Sequence, residues 1–162
     1  MGRPAIESDL RGRRLEGKKP WALLASLLLA ERPLARRELA ERIWPETADP
    51  LASVRWGLLQ VRRAIEPEAT IVERDGRLTV SPRDGLVVDA RLLLGGLIEL
   101  DGVEELLGGE LLAGFTFPDA PELEHWLAAE RARCDSAASA ALRGAASARS
   151  RRDAAAALRL LR

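Results

Sequence analysis

Within residues 49–66, DPLASVRWGLLQVRRAIE, six side chains carry groups that could donate to or stack on a nucleic acid: Ser53, Arg55, Trp56, Gln60, Arg62 and Arg63. They supply a hydroxyl, an indole, an amide and three guanidiniums. This is a donor set suited to nucleic acid: Arg forks onto guanine or phosphate, and a Gln amide matches the adenine edge. Two more arginines, Arg74 and Arg77, flank Asp75-Gly76. Residues suited to catalysis are scattered, with no cluster of nucleophile, base and oxyanion donor. His125 is the only histidine and reads as a packing or hydrogen-bonding residue; Cys134, the only cysteine, reads as inert. The stretch LLGGLIELDG has no lysine at phosphate-loop spacing, and Asp101, Glu104, Glu105 and Glu110 lack the spacing of a calcium loop. The expectation is a protein without enzymatic activity, cofactor or metal.

For those donors to act, a fold must carry them. The chain has 162 residues, 47% hydrophobic and 31% charged, the balance of a globular protein and enough for one domain or two small ones. Without a membrane-length apolar run or a signal-peptide pattern, the expected location is cytoplasmic, at the nucleoid if DNA is the partner. The net charge is zero, which argues against a polyanion partner until its distribution is examined. Residues 1–66 hold 13 basic and 9 acidic residues, among them Arg11, Arg13 and Arg14, whereas residues 90–162 hold 9 and 11. A basic front and an acidic back suggest two separate roles.

Pro20 opens an apolar run, WALLASLLLA, with Trp21, Leu24, Leu27 and Leu28 at helical spacing, which reads as a central core helix. ARRELAERIW forms a second helix with Leu39 and Ile43 one turn apart, stopped by Pro45. The third starts at an N-cap, Asp49, with Pro50 in the first position. Its residues Leu51, Val54, Leu58, Val61 and Ile65 make one inward stripe, which turns Ser53, Trp56, Gln60 and Arg63 outward with Arg55 and Arg62 on the flanks. IVERDGRLTV then reads as a hairpin about Asp75-Gly76, and residues 86–88 as a further strand. Beyond residue 90 the signals are helical: a broken helix over 92–107, a long helix from about Glu122 with Leu123, Trp126, Leu127 and Glu130 at core spacing, and a last helix from Asp153 to Leu161.

Three short helices and a hairpin describe a winged helix-turn-helix, whose third helix lies in the major groove. The segments KKPWALLASLLLAERPLARRELAERIWPE, DPLASVRWGLLQVRRAIE and GELLAGFTFPDAPELEHWLAAERAR resemble the Streptomyces antibiotic regulatory protein type of bacterial transcriptional activator. The resemblance implies a mostly α fold with a small β component. An OmpR-type winged helix would occupy 1–89 and an incomplete, tetratricopeptide-like bacterial transcriptional activation domain 90–162. It implies double-stranded DNA as partner, with RNA polymerase or a second copy of the chain as further partners. It places Trp56 and Gln60 at base edges and Arg62 and Arg63 at phosphates. It gives Phe115, Phe117, Pro118, His125, Trp126 and Arg131 a structural role between the two parts.

The sequence departs from that pattern in several places. Only residues 1–17 precede the first helix, so a strand expected there is missing or unpaired and the front sheet incomplete. Ala35 replaces a capping Ser or Thr, and Gly57 interrupts the third helix, each worth about 1 kcal/mol against its helix. Trp56 is bulkier than usual and also fits a core or a dimer contact, and the arginines also fit a plain solvated face. The chain stops after about one and a half helix pairs, as a fragment of a longer regulator would, which would leave Leu158, Leu160 and Leu161 exposed or covered by a partner. A protein-interaction module with a degenerate winged helix is the competing reading.

Overall fold

A computed structural model describes residues 4–6, 15–83, 86–96 and 109–160, with the side chains of 148 and 151–160 left aside. Arg11, Arg13, Arg14, Asp101, Glu104, Glu105, the 97–107 part of the expected helix and the side chains of Leu158, Leu160 and Leu161 lie outside the described set. The protein is mostly helical with one small antiparallel sheet. Its elements in chain order are α1 (Lys18–Leu29), β1 (Leu34–Ala35), α2 (Arg36–Ile43), α3 (Pro50–Ile65), β2 (Ala69–Arg74), β3 (Arg77–Pro82), α4 (Asp89–Leu94) and α5 (Pro121–Leu160).

The apolar run of α1 is buried on nearly every side, from Ala22 through Leu27 and again at Leu29. It packs on α3 and α2, and β3 lies against it as well. Leu39, Ala40 and Ile43 are the inner face of α2. Ala35 stands at its N-cap without a side-chain bond to the helix, and the first amide of α2, that of Arg36, donates instead to the Gly76 carbonyl at the hairpin tip. Buried residues from Leu15 through Val80 to Cys134 form one continuous hydrophobic cluster.

The sheet order is β1-β3-β2. Asp75 and Gly76 both have positive φ, 51° and 69°, and Arg74 pairs directly with Arg77, so a two-residue turn closes the hairpin as its Asp-Gly sequence requires. Two expectations differ here. Residues 86–88 carry no strand, whereas Leu34 and Ala35 do, pairing with Leu78 and Arg77. A two-residue strand has no periodicity to read; its partner, 44 residues further along the chain at Leu78, creates it.

Beyond the sheet, α4 packs on α5 and touches α1, while α2 also meets α5. Leu123, Leu127, Glu130 and Cys134 form the buried stripe of α5, with Trp126 half-buried beside it. The separate helix expected from Asp153 is absent, because α5 runs unbroken for 40 residues. Its alanine-rich middle propagates a helix well and offers neither Pro nor a turn-forming pair to end it. Within the described residues no helix is long and apolar enough to cross a membrane.

Candidate nucleic-acid interface

Local sequence positions α3 firmly. Asp49 accepts a hydrogen bond from the Ala52 amide at 2.8 Å, and Pro50 occupies the first turn. Arg62 and Arg63 stand in the last turn, where the negative end of the helix dipole favours cations. Val54, Gly57, Leu58, Val61, Ala64 and Ile65 are buried. One member of the expected inward stripe is not: Leu51 is 45% exposed. It sits in the first turn at the edge of the buried arc, so a step of three from Val54 carries it out past the packing.

The outward face holds Arg55, Trp56, Leu59 and Arg63, all exposed, with Ser53, Gln60 and Arg62 half-buried at its margins. Trp56 is 56% exposed. It lines a groove of about 450 Å³ between the start of α1 and the 116–119 loop, together with Lys18, Lys19 and Trp44. Leu59, 47% exposed, was missed by the periodicity argument. Its signal was its place at the centre of the arc opposite Val61, one turn from Trp56.

The polar candidates divide by what they already touch. Ser53 Oγ is 3.2 Å from the Asp49 carbonyl and 3.3 Å from Thr47 Oγ1, so its hydroxyl serves the helix start and not a ligand. Arg55 approaches Asp49 only at 3.8 Å with both groups in solvent, an ion pair of little strength. Arg62 acts on Glu73 through space. Gln60, Arg63 and Arg74 have no side-chain hydrogen bond or ion pair to another described residue. Arg77 turns back to the Pro33 carbonyl at 3.4 Å.

The hairpin tip is held down. The Arg36 amide donates to the Gly76 carbonyl at 3.2 Å, and the Arg36 side chain forks onto Glu73 at 2.7 and 2.6 Å. That hydrogen-bonded pair, with Arg62 adding charge, holds the Glu73 carboxyl below its ordinary range. Other cations near α2 are also engaged internally, Arg42 and Arg32 both on Glu38 and Arg37 on Glu41. Arg63 on α3 and Arg74 on the hairpin are thus left without an ion pair to a described residue, as are Arg83, Arg91, Arg143 and Arg149 elsewhere in the chain.

Among the residues assigned a structural role, Phe117 is buried and meets Phe115 edge-on at 6.4 Å, with the Phe117 amide donating to Glu124. Lys18 at the start of α1 lies 6.0 Å from the Phe115 ring centre. Arg131 reaches the carbonyls of Leu111, Leu112 and Phe115, and Arg133 joins Glu130 on α5 to Glu31 after α1. His125 differs from its expected packing role: it is exposed, because its position on α5 falls between Leu123 and Leu127, off the buried stripe. Among the described residues no group of three or more His, Cys, Asp or Glu could hold a metal ion.

Cys134 is sealed in the core, and burial, with Glu130 and Asp135 adding to it, pushes its thiol pKa up. The native protein at about pH 8 is expected to resist a thiol-directed reagent that labels one site per chain after unfolding. A native rate equal to that of a free thiol would show α5 lifting from its neighbours. Because the folded pKa is raised, this group's contribution to stability is fully present below the ordinary thiol range and is lost as pH rises above that range and through the raised value.

The chain matches no family model, no curated protein and no solved structure.

Proposed function

We propose that this chain is a sequence-specific DNA-binding transcription regulator, a winged helix that reads the major groove with α3 and carries no catalytic activity. One observation carries the reading: α3 is braced by α1 and α2 on one side and leaves Arg55, Trp56, Leu59 and Arg63 in solvent on the other. The element order supports it, since a helix-turn-helix followed by a hairpin is the winged arrangement, with α3 as the recognition helix. Arg63, Arg62, Arg55 and Arg74 are the phosphate contacts and Gln60 and Trp56 the base contacts. The part from residue 90 onward is read as similar to a bacterial transcriptional activation domain. RNA polymerase and a second copy are the partners that the family resemblance implies.

Four such phosphate contacts give a slope of about −3.6 for the logarithm of the binding constant against that of salt concentration. Titration of labelled duplex at several salt concentrations measures it. Arg63→Ala is expected to weaken binding to every sequence and to flatten the slope by about 0.9, whereas Gln60→Ala changes which sequences are preferred. Duplex binding that is undetectable, or insensitive to salt, overturns the proposal. That result would favour a protein-interaction module, a reading supported by the internal pairing of Arg32, Arg36, Arg37 and Arg42.

A further inference from the structure

Leu59 raises a physical problem if α3 enters a DNA groove. It stands at the centre of the exposed arc, 47% exposed, one turn from Trp56 at 56%. Arg55 and Arg63 are exposed on either side of it. An isobutyl group pressed onto a groove floor strips water from the base edges and returns no hydrogen bond, which is unfavourable unless it meets an apolar atom. In the major groove of ordinary DNA that atom is the C5-methyl of thymine.

We infer that Leu59, one turn along α3 from Trp56, is a thymine-methyl reader, and that the sites bound by this protein place thymine under the middle of α3. The inference rests on the DNA-binding reading above and specifies its substrate. The charges favour this occupant over a second copy of the chain. Arg63 has no ion pair to another described residue and Arg55 only a long, solvated one, so a symmetric contact through this face would set like charges against each other. Phosphates on both sides of a groove meet the same guanidiniums with opposite charge.

The test uses the full chain and duplexes that it selects from a random library. Replacing every thymine by uracil removes the methyls and keeps the pairing edges. Wild-type protein is expected to bind the uracil duplex about four-fold more weakly for each methyl covered. Leu59→Ala, at an exposed position and checked for unchanged helicity, is expected to bind the two duplexes with nearly equal affinity. Equal binding of both duplexes by the wild type overturns the inference and leaves the regulator reading standing. A uracil penalty that persists undiminished in Leu59→Ala also overturns it, because the methyl is then read elsewhere. Absence of salt-dependent binding to any duplex removes the regulator reading itself, so the failures are distinguishable. Sedimentation of the chain without DNA checks the other occupant: a dimer that Leu59→Ala splits, with thymine discrimination intact, overturns the assignment.

Discussion

Gly57→Ala is expected to destabilise the protein by up to about 2 kcal/mol, although alanine is the better helix former by about 1 kcal/mol. A methyl group at position 57 would lie 2.8 Å from Trp44 Cη2 and 3.0 Å from Leu23 Cδ2. Both neighbours are buried, and the indole is a rigid plane that cannot fold aside. Overpacking of this kind typically destabilises by roughly 1–3 kcal/mol, which outweighs the gain in helix propensity. Chemical denaturation of the single variant gives the sign. Pairing it with Trp44→Phe tests the cause, since the smaller ring should leave the double variant more stable than the two single changes predict, by at least about 0.5 kcal/mol. A Gly57→Ala protein as stable as the parent would mean that α3 and Trp44 are not in the contact described. The consequence reaches function, because a shift of α3 away from Trp44 also moves Trp56 and Leu59.

Arg131→Met is expected to remove about 2–3 kcal/mol of stability and to open the loop before α5. The guanidinium donates to the carbonyls of Leu111 at 3.0 Å, Leu112 at 3.1 Å and Phe115 at 3.4 Å. Its ion pair with Glu110, at 3.2 Å, has a partner half in solvent and adds less. The clamp matters because Leu112 sits at φ 50°, a left-handed conformation unfavourable for a leucine, held while its side chain is buried. Without the fork the Leu111 and Phe115 carbonyls lose the guanidinium as donor, while the Leu112 carbonyl keeps only the Phe115 amide at 3.0 Å. Limited proteolysis should then cut between residues 110 and 117 in the variant and not in the parent. Arg131→Lys should recover little, since a single ammonium cannot span three carbonyls with the geometry of a planar fork. An unchanged denaturation midpoint together with an intact loop would show the contacts to be incidental.

Much of the architecture was legible because it is written in short-range signals. Asp49-Pro50 announced the start of α3, Asp75-Gly76 announced the hairpin turn, and the steps from Val54 to Leu58, Val61 and Ile65 identified the buried side. These signals involve neighbours within a turn or two, so residue type and spacing suffice. The readings that failed depended on distant residues. β1 exists because Leu34 meets Leu78, and the break expected at Asp153 did not occur because nothing nearby ends an alanine-rich helix. Gly57 was readable only as a weak spot; the space it leaves belongs to Trp44, 13 positions earlier in the chain.

The candidate interface divides the same way. Sequence by itself determined that α3 has two unlike sides and that its outer side is rich in guanidinium and amide groups, since a helix turns about 100° per residue whatever surrounds it. Tertiary structure alone decided which of those groups remain free. It took Ser53 into the helix start, drew Arg77 toward Pro33 and spent Arg36 on Glu73, while leaving Gln60, Arg63 and Arg74 unengaged by other described residues. It also exchanged Leu51 for inner residues of α3 and set Leu59 in the open. The reason is that a hydrogen bond or an apolar contact acts only over a few ångströms, and those distances are set by how the chain returns on itself.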